Sequence, residues 1–237
     1  MEGKDKIAAL AALRDQLGTK IRSGSDLLRV QETQEIKAAT GLDGLNEHLG
    51  GGLPKGQLTE IISGRGSQGG GGGGLVMAAM LSRARREQQY VMLFDVGGSF
   101  AVESFPPVDL EALLWVGCSS PGESLEALDV ASRDENFGLF LLDWRSCQAR
   151  DWRGLKSSLW YRILGQLRAR ETPAVLFAAE SVTSVAKRKL QVSLPVSCGK
   201  LDEERDVLWN ALAFEAVQAA VRDGSREFGM REARRAG

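Results

Sequence analysis

Residues 58–75 read LTEIISGRGSQGGGGGGL, and the rest of the chain is organised around them. Two β-branched residues, Ile61 and Ile62, lead into a glycine-rich loop, and an apolar run, Leu75–Leu81 (LVMAAML), follows it. This is the strand–loop–helix setting of a phosphate-binding loop, in which backbone N–H groups curl round phosphates and a helix N-terminus adds partial positive charge. The complete motif, GxxxxGK[ST], also needs a lysine for the β- and γ-phosphates and a hydroxyl for Mg²⁺. Gly64 and Gly69 stand at the right spacing, but Gly70 occupies the lysine position and Gly71 the hydroxyl position. The frame of the loop is present and its reactive side chains are not.

Working outward, the pattern is that of an α/β protein. Short, continuously apolar runs recur at Gln89–Val96 (QYVMLFDV), Glu111–Val116 (EALLWV), Phe137–Asp143 (FGLFLLD) and Thr172–Ala178 (TPAVLFA). Helix-like stretches at Ser119–Arg133 and Lys156–Arg170 separate the later ones, as in a mostly parallel sheet with helices on both faces. Ligands of such sheets bind at the carboxyl ends of the strands, where Gly64, Asp95, Asp143 and Glu180 fall. Upstream, Thr40 opens a short helix ending in a Gly-Gly-Gly-Leu-Pro turn, with His48 inside the helix as a surface or packing residue. Downstream, SVAKRKLQVSLP suggests an edge strand, and Asp206–Val221 reads as a helix that begins a short C-terminal helical extension. Residues 4–23 carry Ile7, Leu10, Leu13, Leu17 and Ile21 at helical spacing, a stripe that packs either on its own domain or on a partner. The expected division is 1–39 as N-terminal helix and linker arm, 40–200 as the core, and 201–237 as C-terminal helix and basic tail.

Composition sets bounds on function. The chain has 237 residues, 43% hydrophobic and 26% charged, and a formal net charge of −1, so any basic surface for nucleic acid must be local. Cys118, Cys147 and Cys198 are widely spaced, and with His48 as the single histidine they do not suggest an ordinary zinc site. They fit buried thiols in a reducing, cytoplasmic setting. No signal peptide and no apolar run of membrane-spanning length stands out.

The stretch TGLDGLNEHLGGGLPKGQLTEIISG resembles the opening of the RecA/Rad51 ATPase core. YVMLFDV, LLWVGCSSPGESLEALDVA and FGLFLLD resemble, in order, its second strand, the strand–helix pair that follows, and the Walker B strand. Within that superfamily the chain is most similar to the ImuA proteins, RecA-like accessory factors of bacterial damage-induced mutagenesis. The resemblance implies a RecA-like core and places Asp143 at the Walker B acid. The family's catalytic glutamate would fall at Gly97, so the resemblance also implies lost hydrolysis: the cation, the metal hydroxyl and the water-orienting acid are all missing. Gly64, Arg65, Gly69, Gly70 and Gly71, with Asp143, then form a vestigial nucleotide site, with no catalytic residue, no metal and no bound cofactor expected.

The expected role is that of a non-hydrolysing scaffold of translesion synthesis in the SOS response to DNA damage. Its implied partners are ImuB, an error-prone polymerase, RecA, single-stranded DNA and further copies of itself. A surviving ATP-binding protein or weak ATPase acting in recombination, with Arg65 in place of the lysine, is the alternative. The family's DNA-contacting loops correspond to Trp144–Lys156 and Ser181–Lys189. There, Arg145, Arg150, Arg153, Lys156, Lys187, Arg188 and Lys189 are the DNA-binding candidates. In the first loop, Trp144 and Trp152 either stack on bases or pack beneath the loop.

Overall fold

The computed structural model describes residues 35–64, 71–200 and 202–217. The N-terminal amphipathic stripe, Arg65, Gly69, Gly70 and the arginine-rich tail lie outside these residues. A seven-stranded sheet in the order β5-β4-β6-β7-β3-β8-β9 forms the centre. Its strands are β3 (Leu58–Ile62), β4 (Tyr90–Val96), β5 (Leu113–Cys118), β6 (Phe137–Trp144), β7 (Ala174–Ala178), β8 (Arg188–Ser193) and β9 (Ala213–Ala216). All neighbouring pairs are parallel except β8–β9. A small antiparallel ribbon, β1 (Lys37–Ala38) with β2 (Leu53–Pro54), stands apart. The expected mostly parallel sheet is therefore present.

Side-chain alternation along the strands divides the core into two layers. Ile61, Leu93, Leu141, Val175 and Phe177 face one side and pack on α1 (Asp43–His48) and α2 (Gly73–Arg86). Leu58, Phe94, Phe140, Leu142 and Leu176 face the other, against α3 (Pro121–Ala131), α4 (Ala149–Trp152) and α5 (Ser157–Arg170). Covered on both sides, β3 and β7 are buried at every position, which is why their sequences show no polar alternation. Cys118 and Cys147 are buried thiols, as expected. Among the described residues, no helix is long and apolar enough to cross a membrane.

Two expectations near the C-terminus need correction. The helix read over Asp206–Val221 is only α6 (Arg205–Asn210); the chain turns at Ala211 and re-enters the sheet as β9. Phe214 buries against the α1–α2 layer, so sheet pairing and burial outweigh helix propensity there. Consequently β8 is no edge strand: β3 flanks it on one side and β9 on the other.

The connection from β7 to β8 crosses over β3 without a helix. Val182, Val185 and Ala186 cover β3 on the α5 side. Glu60, fully buried on β3, holds this crossover. Its carboxylate accepts from the Val182 N–H and the Ser181 hydroxyl, and it pairs with Lys189 Nζ at 3.0 Å. Lys189 also donates to Ser181 Oγ at 2.7 Å and to the Thr183 carbonyl.

Candidate functional site

The chain leaves β3 through Ser63 and Gly64, and on the far side of the glycine run Gly71 and Gly72 lead into α2 at Gly73. Gly72 is the N-cap, in the left-handed region at φ +54, with no side-chain cap on the helix. A Cβ there would meet Leu212 at 2.8 Å. At Gly71 a Cβ would stand 3.0 Å from Ser63 Cβ, and at Gly73 it would stand 2.9 Å from Ser63 Oγ. The backbone of this loop end lies directly on the end of β3. A side chain at the hydroxyl position of the motif would thus press on Ser63.

Asp143 ends β6 fully buried, and β4 places Asp95 beside it in register. Both carboxylates face the α2 side, because they alternate with Phe94, Leu142 and Trp144 of the other layer. Asp143 is already engaged. Arg145 Nε donates to Oδ1 at 2.8 Å, Nη2 donates to Oδ2 at 2.5 Å, and the Arg145 N–H adds a third bond at 3.2 Å. This is the bidentate arginine–carboxylate fork. Asp95 receives the Ser99 N–H at 2.9 Å and the Phe100 N–H at 3.3 Å, and so folds the loop after β4 back on the strand end.

The guanidinium lies against the start of α2. Arg145 Cδ is 3.3 Å from where a Gly73 Cβ would be, and Nη1 is 3.3 Å from the Gly74 position. Burial works against the charged form of Arg145; hydrogen bonds and attraction from Asp143, with the Asp95 charge adding, nevertheless hold its pKa above the usual value. A cation beside a helix N-terminus is itself unfavourable, so the two carboxylates carry the balance. A cavity of about 290 Å³ adjoins the pair, lined by Leu75, Ala78, Ser99, Ser104, Phe105 and Arg205 among others.

The position expected for a catalytic glutamate is closed. Gly97 has φ +83, and a Cβ there would sit 2.7 Å from Ser146 Oγ. Ser146 in turn donates to the Val96 carbonyl at 2.5 Å. Among the described residues, no group of three or more His, Cys, Asp or Glu gathers as metal ligands would.

The DNA-binding candidates fall into two sets. Arg145 and Lys189 are engaged with the buried carboxylates of Asp143 and Glu60, and Arg188 pairs at the surface with Glu35 at 3.1 Å. Arg150, Arg153, Lys156 and Lys187 are exposed. Trp144 and Trp152 are core residues, stacked with ring centroids 6.4 Å apart, and the Trp144 indole donates to Ser124 Oγ at 2.9 Å. They pack beneath the loop and offer no platform for bases, so the packing alternative of the two readings is the one observed.

Reading the sequence missed Arg145 as the partner of Asp143, and Ser146 as the residue that closes Gly97. The first was visible in principle. Arg145 follows β6 directly in the turn after Trp144, close enough in sequence for its side chain to fold back on Asp143. No protein-family model and no curated protein sequence matches the chain.

Proposed function

We propose that this protein is a RecA-like core that no longer turns over nucleotide and serves as a scaffold for translesion synthesis in the SOS response to DNA damage. On this reading it is an ImuA-type accessory factor that joins ImuB, the error-prone polymerase and RecA. The sheet order and the placement of the phosphate-loop helix are compatible with a RecA-like core. The observation that carries the reading is the state of Asp143. The carboxylate that would hold a Mg²⁺ water instead has both oxygens bonded to Arg145. Around it, a glutamate at Gly97 would be strained at φ +83 and would have to displace Ser146, and a side chain at Gly71 would press on Ser63. Phosphoryl transfer depends on positioned charge, and these positions lack it.

A scaffold also needs a surface. Among the described residues, the outer edge of β5 has no strand paired to it; β5 carries no charged residue and exposes Leu114 and Trp115 at about half of their area. We assign it as the docking edge for a partner strand. For single-stranded DNA, the supporting feature is narrower: Arg150, Arg153 and Lys156 are exposed near the carboxyl end of β6.

Titration with a fluorescent ATP analogue, with and without Mg²⁺, separates this reading from that of an ATP-binding protein or weak ATPase. Flat anisotropy up to millimolar nucleotide is expected. Saturable micromolar binding would overturn it.

A further inference from the structure

We propose that the cleft between the start of α1, the C-terminal end of α2 and the α6–β9 turn is a peptide-binding site, and that it takes an arginine side chain of a partner chain. The cleft encloses about 450 Å³, and none of its lining residues belongs to the Asp143 site. Asp43, at the start of α1, and Asp206, in the first turn of α6, line it together with Arg86, Trp209, Asn210 and Phe214. Acids are ordinary in the first turn of a helix. Here two of them, from separate helices, border one cleft, and neither makes a hydrogen bond or ion pair among the described residues. Arg86 sets one positive charge against the two carboxylates, so the lining stays net negative.

The aromatic walls are held in place by the protein itself. The Trp209 indole donates to the Leu75 carbonyl of α2 at 3.0 Å, which fixes its ring. Phe214 is buried, with its ring centroid 5.9 Å from that of His48. Gly41, at φ +88, lies so close to α2 that a Cβ there would stand 2.7 Å from the Ala79 carbonyl oxygen. The chemistry of this lining selects the ligand. Two carboxylates repel phosphate and other anions, and among the described residues no third metal-ligating side chain gathers with them. A guanidinium suits what is present: its donors pair with carboxylates, and its flat face stacks on an indole. The volume is of the size that takes a small organic ligand, and so admits an arginine with its adjoining backbone.

The test is anisotropy of a fluorescein-labelled peptide, Gly-Ala-Arg-Ala-Gly, titrated with the full chain, beside a citrulline version that keeps the shape and loses the charge. The arginine peptide should bind saturably, roughly tenfold more tightly than the citrulline one, and more weakly as salt is raised. Asp43→Asn and Asp206→Asn should each weaken that binding several-fold while melting within a few degrees of wild type, because both side chains are exposed. Glu126→Gln, which removes an exposed carboxylate from α3, should change neither binding nor melting. Absence of binding by wild type, equal binding of the two peptides, or full binding by both Asp variants would overturn the proposal. Arg222, Arg226, Arg231, Arg234 and Arg235 lie outside the described residues, and a variant with glutamine at each of them is the last arm. It should bind the peptide as wild type does. Binding that appears only in this variant would mean that the chain's own arginines fill the cleft, and would overturn the assignment to a partner.

Discussion

On the proposed reading, Gly97 is one of the residues that separate this site from a hydrolytic one. A glutamate there would have to adopt φ near +83, where L side chains are strained, and displace Ser146 from the Val96 carbonyl. The cost is about 1–3 kcal/mol. Gly97→Glu should therefore lower the melting temperature by several degrees and yield no phosphate release above background, because Arg145 still holds Asp143. Phosphate release by that variant would show that the site lacks only its acid. The absent lysine, hydroxyl and glutamate were legible in the sequence, since each is a named position in a spaced motif. The pairing that replaces them was less so. Arg145 stands two residues after Asp143, in the turn that follows β6, but the bidentate bond and the closeness of α2 come from packing that no motif encodes. The same holds for Glu60 and Lys189, whose pairing takes one cation of the Lys187–Lys189 run out of reach of nucleic acid.

At the scale of elements, α3 and α5 are joined by a charged seam as well as an apolar one. Asp129 on α3 accepts from Arg162 Nε of α5 at 2.7 Å, from Arg133 at 3.1 Å and, more weakly, from Gln166 at 3.3 Å. The hydrogen bond from Arg162 is the main cause that holds the Asp129 pKa below its ordinary value, against the opposing effect of burial. The sign follows from linkage. A carboxylate with a depressed folded-state pKa adds stability above its unfolded-state pKa, about 3.9, and loses it as pH falls through the lower folded value. Asp129→Asn should thus be less stable than wild type at neutral pH, with the gap closing below about pH 4; denaturant melts across that range measure it. The effect should be small, because both arginines are more than half exposed and solvent screens them. A gap that widened in acid would refute the assignment. Elements were the most legible part of the sequence where a continuous apolar run met a clear start signal. Ser120 caps α3 by accepting the Glu123 N–H, and Pro121 follows it. The run after Arg205 misled because Val207, Leu208, Ala211 and Leu212 fit helical spacing. What ends the helix is the pairing of β9 with β8, a contact invisible in local sequence.

For the whole molecule, the two ends of the sheet differ in kind. β9, at one end, carries Glu215, a charge of the sort that discourages strand pairing. β5, at the other, reads LLWVGC: no charge, no proline, and two large apolar residues half exposed. Such an edge offers a row of backbone donors and acceptors with apolar flanks, which an incoming strand satisfies through main-chain hydrogen bonds and side-chain burial together. Placing a cation on that edge opposes strand addition while leaving the core alone. Leu114→Lys should therefore fold normally, with a melting temperature within a few degrees of wild type, because the side chain is already half in water. On the proposed scaffold reading, wild type should capture ImuB or RecA in a pull-down with purified components and Leu114→Lys should lose that capture. The control is Val130→Lys, a more exposed apolar position on α3 rather than on β5, which should leave capture intact. Undiminished capture of both partners by Leu114→Lys would remove β5 from the scaffold. Loss in both variants would mean that added positive charge, and not strand pairing, governs the contact.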